Sequence, residues 1–426
     1  MNLQGEVIEG TMRKAFVLAI IAFCCFMACS CGGGAGTAVK NSGLELVRSY
    51  PEKPSGASGA LAEGTLYKAG KINVPVLQGT YEQMGKQYGA LLKKELNEDY
   101  NGVVDGLKGI EGLNLEDLQE MGNSVYEKYP QKYKDIINGL AESSGLGLAK
   151  AKVLNMQEIY ISTALVDWAR KHMSQCSGMA AWGPYTSGGP LVFGRNYDLG
   201  FVNHQYATMT VYNPIDGSIP TASFTFAGCI YVTSGMNSSG VFLELNNGST
   251  SDPSDLTAER PWAPVELFSF LEQSTSLDQL ATSFNATNPD LAYIVQGADK
   301  NSAASFEWST NGAEMRGPDK DGLLVATNHF VDPAWGIPLP APETDVDFTV
   351  KRRENLLALG EQNKGKLTPE VMMKVISTPF EDGGAFRAPN LTSYEIVAQP
   401  AELTVWVRVP EYQDWVKIDL KPYFLQ

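Results

Sequence analysis

Histidine is scarce in this sequence: three residues in 426, at positions 172, 204 and 329. A histidine-rich metal centre is thereby excluded, and a histidine base has few candidates. No HExxH helix, G-x-S-x-G elbow, G-x-G-x-x-G turn or P-loop occurs, so the signatures of zinc peptidases, serine hydrolases, dinucleotide enzymes and NTPases are missing. Basic residues are outnumbered, 33 Lys and Arg against 48 Asp and Glu, for a net charge of −15. That deficit argues against nucleic acid or an anionic lipid surface as partner. Of six cysteines, Cys24, Cys25, Cys29 and Cys31 lie within residues 1–31, leaving Cys176 and Cys229 for the body of the chain. One disulfide is the most those two can form.

What is present begins at the N-terminus. From Met12 the chain reads MRKAFVLAIIAFCCFMACSCGGG: two basic residues, an apolar stretch, then small residues and cysteine. The stretch falls short of the roughly 20 residues needed to cross a bilayer and has the form of a secretory signal segment. Cys29, after Phe-Met-Ala, resembles the lipidated cysteine of bacterial lipoproteins, with Phe26 where leucine is usual; Cys31 is the alternative. The resemblance implies that residues 1–31 direct export and that Cys29 carries a lipid anchor in the bacterial envelope, on its periplasmic or extracellular face. Residues 32–62, rich in Gly, Ala and Ser, are expected to form a flexible tether.

With 43% hydrophobic and 19% charged residues, the chain can bury a large core as one big domain or two intimate ones. Residues 63–175 predict a mainly helical piece. A short strand, KINVPVLQG, precedes TYEQMGKQYGALLKKELNEDY, in which Met84, Tyr88, Leu91 and Leu92 share a helical face. From 176 the pattern alternates and turns like antiparallel strands: GMAAWG, PLVFGRN, ATMTVYN, TASFTFAG and GVFLELN. Helical periods return over 263–284, 349–360 and 368–376, between strand-like runs, and the C-terminal end is strand-rich. Helices grouped around antiparallel strands predict an α+β architecture in which two packed sheets are covered by helices.

Cys176 stands where helices give way to strands. A thiol is a weak nucleophile until a base takes its proton. A pair of Cys176 with His329 is one arrangement; a metal shared by His172 and Cys176 lacks two further ligands. The other base is the main chain itself. If the Gln175–Cys176 bond is broken, the freed α-amino group, with a pKa of about 7.7–8, sits beside its own thiol.

CSGMAAWG…GGPLVFGRNYD resembles the start of the catalytic sheet in cysteine N-terminal-nucleophile (Ntn) hydrolases, the group of choloylglycine hydrolase, acid ceramidase and penicillin acyltransferase. SFTFAGCIYVTSGMNSSGVFLELNNG, VATNHF and TVKRRENLL are similar to later landmarks of the group, and LQGTYEQMGKQYGALLKKEL to the acyltransferase pro-segment. The resemblance implies an αββα four-layer sandwich over 176–426 with 63–175 as helical pro-segment. It implies Cys176 as nucleophile after cleavage of Gln175–Cys176, with Arg195 holding both the thiolate and Asp198, and Asp198 holding the α-amine. Asn246 (or Asn247) and Asn328 are implied as oxyanion donors, and Arg352 (or Arg353) as part of the polar cluster.

The implied reaction is attack on a linear non-peptide amide through a thioester acyl-enzyme, without metal or cofactor. Water as acceptor gives an amidohydrolase and an amine gives an acyltransferase. Trp182, Tyr185, Tyr197 and Phe224 are the aromatic candidates for an apolar acyl pocket, and the two pieces are expected to stay associated. Two departures are visible: Gln175 stands where the acyltransferase branch has glycine, and Gly178 where a hydroxyl residue is frequent. A Cys-His thiol hydrolase without self-cleavage and a non-catalytic binding lipoprotein are the alternatives.

Overall fold

The computed structural model describes residues 43–51, 63–107, 114–164, 176–199, 204–252, 260, 262–343, 345, 347–389 and 391–425. Residues 1–31, expected to direct export and carrying Cys29 and Cys31, and likewise His172 and Gln175, lie outside the described residues. Three strands open the chain: β1 (Glu45–Tyr50), β2 (Gly64–Ala69) and β3 (Ile72–Gly79). Residues 45–50 fall inside the expected tether, yet they pair antiparallel with β2 as an edge strand. Their backbone polar groups are satisfied by the neighbouring strand, although their side chains stay largely exposed.

Five helices follow: α1 (Tyr81–Leu91), α2 (Lys93–Leu107), α3 (Leu115–Lys128), α4 (Gln131–Ser144) and α5 (Leu148–Ala164). Thr80 and Gln83 start α1 with a reciprocal capping box. Met84, Tyr88 and Leu91 of the expected face are buried. Glycine lets α1 and α4 touch backbone to backbone: a Cβ on Gly85 would lie 2.2 Å from the Ile136 carbonyl oxygen.

The chain from residue 176 supplies β4 (Ser177–Ala181), β5 (Val192–Asp198), β6 (Ala207–Pro214), β7 (Thr221–Phe226), β8 (Ser234–Asn237) and β9 (Phe242–Asn247). Helices α6 (Ala263–Gln273) and α7 (Leu277–Ala286) come next, then β10 (Tyr293–Ala298), β11 (Ala303–Ser309), β12 (Gly312–Arg316) and β13 (Leu323–Ala326). The chain closes with α8 (Thr349–Gln362), α9 (Pro369–Ile376), β14 (Thr392–Gln399), β15 (Thr404–Val409) and β16 (Gln413–Asp419).

The strands form a ten-stranded sheet, β1-β2-β3-β6-β7-β8-β9-β10-β11-β12, and a six-stranded sheet, β13-β4-β5-β14-β15-β16. All neighbours are antiparallel except β3 and β6, which run parallel. The sheets face each other: Phe193 of β5 meets Phe242 of β9 with ring centroids 5.0 Å apart, and Phe224 of β7 meets Tyr394 of β14 at 4.6 Å. Helices α6 and α7 cover the outside of the larger sheet, and α8 and α9 the outside of the smaller. This is the four-layer αββα sandwich of an α+β protein. The N-terminal piece is not an appendage, because β3 is hydrogen-bonded into the middle of the larger sheet.

Candidate active site

Cys176 sits at the entry to β4, the strand next to edge strand β13 in the smaller sheet, and is 2% exposed. On β5, Arg195 lies opposite Gly178 and reaches into the space between the sheets. Its Nη2 is 3.9 Å from Cys176 Sγ and also donates to the Leu245 carbonyl. Nη1 donates to the Thr233 carbonyl, to Ser234 Oγ and, at 3.3 Å, to Tyr394 OH. The Tyr197 ring packs against the guanidinium at 4.6 Å. The counter-charge comes from Glu244 of β9, whose Oε2 is 3.0 Å from Arg195 Nε, with both side chains fully buried. The N–H is not aligned for a hydrogen bond there, so this contact is a charge pair.

Burial opposes the Arg195 charge, but Tyr394, Glu244 and Cys176 more than offset it and the group stays cationic. Burial pushes the Cys176 thiol up to about 11, with Arg195 drawing it down and Asp198 pushing it up. The resting thiol is neutral and needs a base.

Asp198 departs from expectation. Residues three apart on a strand point to opposite faces, so Asp198 turns away from Arg195. It joins the α9 side, where Asn196 Nδ2 donates to the Ile376 carbonyl at 2.9 Å. Arg195 therefore does not hold Asp198; its carboxylate is Glu244, and the cations acting on Asp198 are Arg352 and Arg387. Asp198 is 1% exposed, its backbone N–H faces Cys176 Sγ, and no described residue donates a hydrogen bond to either carboxylate oxygen. Burial pushes the carboxyl up to about 7, while Thr392, Arg352 and Arg387 pull it back. The Thr392 hydroxyl is close but does not meet hydrogen-bond geometry.

On α8, Arg352 Nη1 donates to the Cys176 carbonyl at 3.0 Å, Nη2 to Asn328 Oδ1 at 2.9 Å and Nε to the Asp347 carbonyl at 3.0 Å. Arg353, the alternative, pairs with Asp319 instead. Asn328 Nδ2 donates to the Asn247 carbonyl at 2.9 Å, and Asn246 Nδ2 to Glu244 Oε1 at 2.9 Å. In the uncut chain both amides expected as oxyanion donors are thus engaged with protein acceptors. Asn247 is half-buried, and its Oδ1 accepts from Ser249.

Gly178 has a clear physical reason. With its amide turned to satisfy both ends, Gln296 of β10 donates to Glu244 Oε1 at 2.7 Å and to the Gly178 carbonyl at 3.1 Å. A Cβ at 178 would lie 2.0 Å from the Gln296 amide end and 2.5 Å from Glu244 Oε1. Glu244 and Gln296 fill the room that a hydroxyl side chain at 178 would take. Gly178→Ala is expected to cost about 1–3 kcal/mol by overpacking, read as a drop in the denaturant midpoint. An unchanged midpoint would show that the pair has room to give.

His329, the histidine expected to pair with Cys176, contributes little. Burial, followed by Arg353, Arg352 and Arg316, pushes His329 down to about 3, and its Nδ1 lies 2.9 Å from Thr349 Oγ1. An imidazole that resists its proton this strongly is a poor base for a thiol. Cys176 and Cys229 are both thiols, not a disulfide. Of the aromatic candidates, Tyr197 and Phe224 lie between the sheets near Arg195. Tyr185 instead packs in the outer core under α8, with its hydroxyl on Glu361, and Trp182 is half-buried.

Sequence reasoning missed Glu244, Gln296 and Arg387. Glu244 left a signal: Phe242, Glu244 and Asn246 share one face of a strand, so an acid in FLELNN points inward. Arg387 stands 5.1 Å over both the Phe348 and Phe380 rings and leads through a short loop to Thr392, opposite Asp198 on β14. No local pattern marks it.

No family model matches the chain, and no curated protein matches it. Among solved structures it is similar to the Caenorhabditis elegans N-acylethanolamine-hydrolyzing acid amidase ortholog, at 17% identity over 53% of this chain and 93% of that one, with a TM-score of 0.39. It is also similar to a variant of the conjugated bile acid hydrolase from Clostridium perfringens, at 11% identity over 58% and 93%, with a TM-score of 0.41. A third is the penicillin V acylase from Agrobacterium tumefaciens, at 12% identity over 57% and 86%, with a TM-score of 0.37. These likenesses are too distant to carry function, which rests on the chain's own site.

Proposed function

We propose that this chain is a cysteine N-terminal-nucleophile hydrolase that cuts itself between Gln175 and Cys176 and then hydrolyses a linear, non-peptide amide. The observation that carries the reading is Asp198: a buried carboxylate beside Cys176 to which no described residue donates a hydrogen bond. An α-ammonium freed at Cys176 supplies charge and N–H donors of the kind this carboxylate lacks. In the mature site the α-amine takes the thiol proton, and sulfur attacks the amide carbon. The amine then returns the proton to the leaving nitrogen, and the thioester that remains is resolved by water. Arg195 would steady the thiolate, and Arg352 the backbone of Cys176. Where an amine replaces water, the same thioester gives acyl transfer.

The acyl group is proposed to be apolar, because Tyr197 and Phe224 line the space between the sheets. Export and lipid anchoring at Cys29 are part of the proposal and rest on residues 12–34 alone. The two pieces are proposed to stay associated, since β3 belongs to one and β6 to the other.

The test is intact mass of the chain lacking residues 1–31, which keeps β1, beside its Cys176→Ala variant. The expected result is two masses for the wild type, the second piece beginning at Cys176, and one mass for the variant. A single uncut chain in both would remove the α-amine from the mechanism and leave a thiol hydrolase without self-cleavage or a binding protein.

A further inference from the structure

Glu244 is the least expected member of the site. It stands on the opposite sheet from the nucleophile, fully buried, and touches three things at once. Its Oε2 is 3.0 Å from Arg195 Nε, and its Oε1 accepts from Asn246 Nδ2 at 2.9 Å and from the Gln296 amide at 2.7 Å. It also occupies the space beside Gly178 on the nucleophile's own strand. Two of these contacts lead straight to the nucleophile: Arg195 touches its sulfur, and Gly178 is two residues along the same strand.

Arg195 does not need Glu244 to stay in place. Its two terminal nitrogens already donate to the Thr233 and Leu245 carbonyls, Ser234 Oγ and Tyr394 OH, and its plane rests on Tyr197. Those acceptors are neutral, so they fix the guanidinium without cancelling its charge. The one carboxylate paired with it is Glu244. A cation held by neutral groups at 3.9 Å from sulfur would favour a standing thiolate; a cation shared with a buried carboxylate favours it far less.

We propose that Glu244 is a positioning residue that acts through Arg195: it balances the guanidinium charge and so adds to what burial already does to keep Cys176 a thiol until the α-amine takes its proton. The inference rests on the proposed Ntn-hydrolase reading of the site. It gives the departure at Gly178 a chemical meaning, because losing the side chain there admits a charge to the site. It also accounts for Asn246, whose amide is spent on Glu244. Other charged or titratable groups facing the thiol are Asp198 and Tyr197 from β5, Tyr394 from β14, Arg352 from α8, Arg387 from the loop before β14, and the α-amine. None of these except Tyr197 and Tyr394 contacts Arg195.

The experiment is the rate at which iodoacetamide alkylates Cys176, followed by peptide mass from about pH 6 to about pH 12, a range that spans the raised thiol. It compares the wild type with Glu244→Gln, both lacking residues 1–31 and both weighed intact first. At pH 8 Glu244 carries its charge in the wild type, since burial raises its carboxyl only to about 7. Removing that charge is expected to move the midpoint of the profile down by about one unit and to speed alkylation at pH 8 about tenfold. A purely structural role would lower the melting temperature and leave the midpoint alone.

A Glu244→Leu variant, which removes the carboxylate at similar volume and leaves Gly178 unchanged, is expected to show the same downward shift. An unchanged or raised midpoint in either folded variant overturns the inference. So does failure of both variants to fold, which would make Glu244 a folding requirement and not a tuning group. A wild type that is never cut defeats the self-processing reading instead, and the alkylation comparison on the uncut chains still decides the role of Glu244.

Discussion

Asp198→Asn is expected to make the single chain more stable at pH 8 while ending the proposed self-cleavage and sharply lowering the proposed amide hydrolysis. The stabilisation follows from the absent donor. Burial holds the Asp198 carboxyl near 7 in the folded chain against 3.8 for the ordinary group. A group raised on folding contributes stability that is fully present below its unfolded pKa and is lost as pH rises through the folded one. The window therefore runs from about pH 4 to pH 7. Above it the folded chain bears an ionised, undonated carboxylate, and asparagine relieves that burden by on the order of a few kcal/mol at roughly 1.4 kcal/mol per pKa unit. The comparison is made in the Cys176→Ala background, so that both chains stay uncut, by urea unfolding at pH 5 and pH 8. The gain should be largest at pH 8 and roughly a third of that at pH 5, where only the first unit or so of the window has been passed. Activity moves the other way: without the carboxylate nothing holds the α-ammonium, and hydrolysis should fall by about 10²–10⁴-fold, the usual worth of positioned proton transfer. An asparagine chain that still cuts itself at the normal rate would take Asp198 out of the chemistry.

The second large effect lies far from the nucleophile. Glu272 on α6 is fully buried and receives Tyr81 OH at 2.9 Å, Tyr133 OH at 2.7 Å and Lys132 Nζ. Tyr81 begins α1, and Lys132 and Tyr133 belong to α4, so one carboxylate of the catalytic piece gathers three donors from the N-terminal piece. Burial raises the Glu272 carboxyl, and Lys132 and the two tyrosines restrain the rise. Glu272→Ala takes the carboxylate from the Lys132 ammonium and leaves the Tyr81 and Tyr133 hydroxyls with Ser218 and Ser269 in place of a charged acceptor. Removing one partner of a buried pair costs about 3–5 kcal/mol. The lower end applies here, because the Lys132 side chain is 25% exposed and can rehydrate. Urea unfolding of the uncut Cys176→Ala chain should show the loss. In the cut protein, native mass spectrometry should show free pieces where the wild type shows a pair. A variant with unchanged midpoint and intact pair would leave the sheet alone holding the pieces together.

Much of this architecture was legible because it is local. The strands around Cys176 alternate in the sequence as they do in the sheet, and α8 and α9 begin within a residue or so of their periodic patterns. Asp198 was legible in identity but misread in direction, although the three-residue step from Arg195 on a strand already implied opposite faces. β1 was hidden because five of its six residues are exposed and carry no burial pattern, and pairing with β2 is what makes them a strand. The parallel junction of β3 with β6 joins segments far apart in the chain and follows from no local period. Gln296 and Arg387 belong to the same class: each matters through a neighbour on another strand or helix. Gly178 looked like a loss because the acid that replaces the missing hydroxyl comes from the other sheet.

The bond from Arg352 to the Cys176 carbonyl crosses 176 residues of sequence. Until α8 has docked against β4 and β13, the carbonyl next to the scissile position has no guanidinium to fix it, and β14 has yet to bring Thr392 beside Asp198. Under the proposed reading, scission is therefore the last event of maturation. A polypeptide interrupted before its C-terminal third lacks the means to divide itself. The new N-terminus then acts as a receipt: its appearance reports that both sheets closed, and every two-piece molecule has passed through one completed single-chain fold.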